Sequence, residues 1–175
     1  MTRQDFILKW LFYALALLPV WWMDTFVLGR FPVLGVAPML LPVAAVAVAV
    51  LEGALAGAGF GLAVGVLCDA VYFGGHGFLT LGLCLIGWGA GAASQYVLSR
   101  NFGGCLLCAA AGLVLIDMVR VFAGLFTGLA SLPALLRVAL PEVLWSLCFV
   151  CLLYPWFAWV RGRIIPVSYT HLRAH

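Results

Sequence analysis

Residues Gly53–Gly77 read GALAGAGFGLAVGVLCDAVYFGGHG. Glycine stands at 53, 57, 61 and 65, and the next step of four lands on Asp69, the one acidic residue of the run. In an α-helix, residues four apart share a face, and each step of four overshoots a full turn by about 40°. The glycines therefore cut a shallow groove that winds slowly along one side of an apolar helix. Lipid tails are as apolar as leucine, so hydrophobicity alone does not draw two helices together in a bilayer. Close backbone approach, with van der Waals packing and weak Cα–H contacts, does. The stripe thus predicts tight packing against a second helix; a backbone-lined ligand cavity is the other reading it allows. Gly87 and Gly91 carry the same spacing in the next apolar run and mark the expected mate, with Phe60 read as lying off the stripe.

Composition carries this reading to the whole chain. Of 175 residues, 66% are hydrophobic and 9% charged, against about a quarter charged in soluble domains. Such a chain has too little polar surface to cover a water-soluble body, and its apolar runs approach the ~20 residues that one membrane crossing needs. The expected class is all-α, a polytopic six-helix transmembrane bundle. The formal charge of +3 is spread without a basic stripe, so no nucleic acid is implied. The basic start and apolar run of MTRQDFILKWLFYALALLPVWW resemble a signal peptide, but the run is too long and no small-residue cleavage site follows. It is read as the first span.

Six spans are expected: 6–28, 33–50, 53–72, 78–97, 104–126 and 137–159. The breaks GRFP, LEG, FGGHG, SRNFGG and TGLASLP hold the glycine, proline or charge that punctuates helices. The break at Glu52–Gly53 is very short, so a hairpin or re-entrant pair is an alternative there. Residues 1–163 form a single six-span membrane domain, and 164–175 a tail. The end of that tail, VSYTHLRAH, resembles translated adapter sequence and is set aside. Basic residues fall five (Arg3, Lys9, Arg100, Arg161, Arg163) against two (Arg30, Arg137) when the N-terminus is inside, which predicts both termini cytoplasmic. Trp10, Trp21, Trp22, Trp156 and Trp159 lie near span ends, at the headgroup level such rings prefer.

At 1.5 Å per residue, Asp69 sits about 5 Å from the outer end of its span. The same count puts Asp24, Asp117, Arg120 and Glu142 in the outer half, and leaves the inner half almost purely apolar. A charge within a span costs about 2.5–3.5 kcal/mol on insertion scales, so each needs a partner or water. Asp117 and Arg120 are three apart and share a face, which allows a pair. This layer is read either as a clamp between helices or as a docking or ligand site opening outward.

Other chemistry is weak. CLLC (Cys105, Cys108) and CFVC (Cys148, Cys151) have zinc-like spacing, but they lie in apolar helices at staggered depths, where thiolates and a metal are costly to bury and cysteine serves as a small apolar residue. His76 is read as a solvated loop histidine. No Gly-x-Ser-x-Gly, HExxH or phosphate-cradling GxxxxGK occurs. No catalytic residue, metal site or cofactor is expected, and the chain is not read as an enzyme.

Order and spacing then point to a family. Pro38 stands in the apolar second run, inside the expected span rather than ahead of it; a glycine-rich helix closes on Gly65-x-x-x-Asp69; a glycine turn follows; a fourth helix ends in Arg100–Asn101. LVLIDMVRVF carries Asp117, Pro141–Glu142 opens the last helix, and Pro155–Trp156 with a basic tail closes it. From about residue 6 to 163 the chain resembles the bacterial rod shape-determining protein MreD family. The resemblance implies a non-catalytic scaffold of lateral wall synthesis in the cytoplasmic (inner) membrane. It implies association with an MreC-type bitopic protein and, through it, with the MreB filament, RodA and its partner transpeptidase. The competing class is the substrate-binding subunit of an energy-coupling-factor vitamin transporter, also six helices of this size. That class often carries small-residue motifs on its first helix, and the bulky FILKWLFYALALLPVWW has none.

Overall fold

A computed structural model of the chain describes residues 3–30, 35–72, 77–98, 101–128 and 131–170. His76, Arg100 and residues 171–175 lie outside this set. The described residues form an all-α bundle of six helices: α1 (Arg3–Trp22), α2 (Leu40–Glu52), α3 (Ala54–Tyr72), α4 (Phe78–Tyr96), α5 (Phe102–Phe126) and α6 (Leu132–Thr170). A π-helical turn, Met23–Leu28, extends α1. Four segments are long and apolar enough to cross a membrane: Phe6–Leu28, Phe78–Tyr96, Phe102–Phe126 and Leu132–Arg163. Large apolar side chains cover the outside, among them Leu55, Leu81, Leu85, Met118 and Phe122. Water tolerates such a belt poorly, and lipid requires it.

The centre is α2. Every residue from Leu40 to Leu51 is buried, and the helix touches all five of the others. Its alanines and valines (VAAVAVAV) are small on every side, which lets neighbours close around it. At 13 residues it is about 20 Å long, well short of the ~30 Å hydrocarbon core.

The expected second span, 33–50, is therefore corrected: the helix begins at Leu40 and ends at Glu52. Proline explains the late start. Pro38 disfavours helical geometry in the residue before it and has no N–H to donate, whereas Pro42 falls in the first turn of α2, where its missing N–H leaves no bond unmade. Residues 35–39 consequently enter the bundle as non-helical chain, with Pro38 and Met39 buried. Such backbone survives at membrane depth only when protein satisfies it. Here the Met39 N–H donates to Ser146 Oγ at 2.9 Å and the Leu40 N–H to Asp24 Oδ1 at 3.1 Å.

Two other bounds move. The fifth helix starts at Phe102, and the last runs from Leu132 to Thr170, so it takes in Pro133 ahead of the expected start and Gly162 beyond the expected end. The α2–α3 connection is a hairpin turned by Gly53 alone. Its φ of +101° suits glycine, and the Gln95 side chain occupies the space a Cβ would need.

Candidate functional site

The glycine stripe lies along α4. A Cβ on Gly57 would meet the Gly87 carbonyl, one on Gly61 the Leu83 carbonyl, and one on Gly65 the Thr80 backbone, each closer than 3.0 Å. From the other side, a Cβ on Gly87 would meet Gly57, and one on Gly91 would meet Gly53. The two backbones run antiparallel at a distance only glycine permits, in the manner of small-residue contacts between membrane helices. Phe60 is not a neutral neighbour of this seam. It is 5% exposed and packs against Trp10, Tyr13 and Phe157 on its other side.

The end of the stripe has a specific task. Asp69 Oδ1 accepts the Leu79 N–H at 3.2 Å; Oδ2 accepts the Thr80 N–H at 2.9 Å and the Thr80 hydroxyl at 2.6 Å. These N–H groups belong to the first turn of α4, where no intrahelical acceptor exists. The residue in the N-cap position is Gly77, which has no side chain to offer. Asp69 supplies the missing acceptor from the preceding helix, and its charge complements the positive end of the α4 dipole. Asp24 does the same for α2 from the π-helical turn. The stripe closes α3 on α4, and its terminal carboxylate fixes where α4 begins.

Asp69→Ala is therefore expected to lose a cap worth roughly 0.5–2 kcal/mol. Thermal melting of the purified protein should fall, and Asp69→Asn, which keeps one acceptor oxygen, should recover part of the loss. Unchanged melting of Asp69→Ala together with loss of a co-purified partner would assign the residue to docking instead.

Asp117, Arg120 and Glu142 form a second cluster. Arg120 Nη1 lies 3.0 Å from Asp117 Oδ1 and 2.9 Å from each Glu142 oxygen. Both carboxylates are buried, while the Arg120 side chain stays 33% exposed. One guanidinium thus ties α5 to α6 against two acids. The five ionisable residues expected near one end of the bundle divide into two helix caps, Asp24 and Asp69, and this triad.

The opposite end differs from expectation. It is not purely apolar: Glu52, at the C-terminus of α2, has a side chain only 8% exposed and is ion-paired with Lys9. Tyr13 Oη donates to Glu52 Oε1 at 2.7 Å, and Arg161 Nε approaches it at 3.7 Å. An acid at a helix C-terminus opposes the dipole, and the two cations and the phenol offset it. Glu52 reads in sequence as part of a loop break, so only the tertiary packing of α1 and α6 reveals this lock. The cysteine pairs are separated in environment: Cys105 and Cys108 are buried, Cys148 and Cys151 exposed. Among the described residues, no three His, Cys, Asp or Glu side chains gather to hold a metal.

The family model described as rod shape-determining protein MreD matches residues 4–160. The chain belongs to the MreD family. The matched region reaches from the first turn of α1 to Val160 in α6, so this MreD-family chain carries α2 to α5, most of α1 and α6, the glycine seam and every carboxylate above within it. Membership makes it a membrane protein of rod shape determination. No curated protein and no solved structure matches the chain.

Proposed function

We propose that the chain is a non-catalytic scaffold of the lateral wall-synthesis machinery in the bacterial cytoplasmic membrane. In this reading it crosses six times with both termini in the cytoplasm, α2 and α3 entering as a hairpin. It binds an MreC-type bitopic protein and, through it, organises the MreB filament, RodA and its partner transpeptidase. One observation carries the reading. The buried charges of this MreD-family chain hold helix to helix: Asp69 to α4, Asp24 to α2, Arg120 to Glu142, Glu52 to Lys9. Charges used in this way build a rigid body with an apolar exterior, which suits a platform for other membrane proteins.

Depletion in the native rod-shaped host tests it. Cells should become round and widen while nutrient uptake stays normal, and an MreC-type protein should co-purify with the wild type. Cells that keep their rod shape and lose uptake of a vitamin would overturn the proposal in favour of a transporter subunit.

A further inference from the structure

α1 rests mainly on α2 and α6, and α3 on α2 and α4; α1 and α3 meet through Phe60, which packs on Trp10 and Tyr13. Between them runs a groove of about 910 Å³. Its floor is built from small residues, Ala56, Gly59 and Ala63 of α3, facing Ala14 of α1. A Cβ built on Gly59 would meet nothing within 4 Å, so the floor lies at backbone level and is not filled by the protein itself. The lining is apolar except at one end, where Lys9 and Glu52 stand.

Two features identify what fills it. The first is charge. At the Glu52 end, Lys9 and Arg161 share a single carboxylate, so in this cluster of described side chains the cations outnumber the acids by one. The second is length. From Lys9 to Trp21, both in the lining, the apolar trough runs for about 18 Å along α1. One leaflet of the hydrocarbon core is about 15 Å deep, half of ~30 Å. A trough of one leaflet's depth, headed by excess positive charge and floored by small residues, matches a lipid with its headgroup at Lys9.

We propose that the α1–α3 groove is a binding site for one anionic phospholipid of the leaflet at the Lys9 end. Its phosphate rests against Lys9 and Arg161, and an acyl chain lies over Ala56, Gly59 and Ala63. The site is independent of the scaffold role, because it needs only a membrane around the bundle. Bound there, the lipid closes an exposed flank of α3 and ties the position of α1 to the charge of the surrounding leaflet.

The test uses the full chain in mild detergent, titrated with phosphatidylglycerol or phosphatidylcholine and read by native mass spectrometry and thermal melting. Wild type is expected to retain a phosphatidylglycerol adduct that phosphatidylcholine does not replace, and to melt higher with the anionic lipid. Gly59→Leu grows into the groove from a point where a Cβ meets nothing within 4 Å, so it should melt as wild type does in detergent alone and lose the adduct. Lys9→Gln should still hold a chain but lose the preference between headgroups. Equal retention of both lipids by wild type would overturn the proposal, as would an adduct that survives Gly59→Leu. A Gly59→Leu protein that keeps its lipid and loses a co-purified helical partner would overturn it too, and make the groove a protein-docking surface.

Discussion

Arg120→Leu is expected to abolish accumulation of the folded protein. The substitution removes the guanidinium that lies within 3.0 Å of two buried carboxylates, Asp117 and Glu142. Breaking a buried ion pair from one side typically costs about 3–5 kcal/mol, because the remaining charge is stranded. Here two charges of the same sign are stranded together, one on α5 and one on α6. Against a typical total stability of 5–15 kcal/mol, that loss is large. The rescue pattern makes the expectation specific. Adding Glu142→Leu should restore more protein than adding Asp117→Leu, because Glu142 engages Arg120 through both oxygens. Removing all three charges should restore the most, since apolar replacement of a whole buried cluster is often neutral. Accumulation measured by immunoblot of membrane fractions decides the matter. Damage that simply adds across the variants would mean that the three residues do not act as a unit.

Gly61→Leu is the second large effect. Its Cβ alone would press into the backbone carbonyl of Leu83, and backbone cannot swing aside as a side chain can. The α3–α4 seam would have to open along its length, and Asp69 would lose its register with the first turn of α4. Overpacking a well-filled interior costs about 1–3 kcal/mol and occasionally more; with the cap disrupted as well, loss of folded protein is the expected result. Gly59→Leu is the control, two residues away with open space above it. Phe60→Leu would be a poor control, because Phe60 is a core aromatic. Normal accumulation and normal complementation by Gly61→Leu would show that the seam does not set the position of α4.

These two regions were unequally legible in sequence. The glycine seam and the Asp117–Arg120 pair follow from local spacing, four and three residues along a single helix, and local spacing is what a sequence displays. The family order was legible for the same reason. What stayed hidden required contacts between distant segments. Asp24 and Asp69 are visible as buried acids, but their role as caps depends on which helix starts beside them. Glu142 is visible as an acid near a proline, but its partner lies 22 residues away on α5. Glu52 resembled loop punctuation because its cations come from α1 and α6, far off in the chain. The late start of α2 stays hidden because an unbroken apolar run conceals the point where proline keeps the backbone out of the helix. Phe60 does lie off the stripe, but a single stripe does not show that a helix packed on two faces buries it against Trp10, Tyr13 and Phe157.

The burial of α2 has a consequence for how the chain is made. Its helix is too short to cross the hydrocarbon core alone, and its entry segment hangs on two donors' partners from opposite ends of the chain. The acceptor for Leu40 comes from Asp24, already synthesised; the acceptor for Met39 comes from Ser146, more than a hundred residues later. At the other end, Glu52 waits for Arg161. The middle of the bundle is therefore finished by α6, which follows the other five helices in the chain. The Met39 N–H and the Glu52 carboxylate gain these partners only when α6 packs against the bundle.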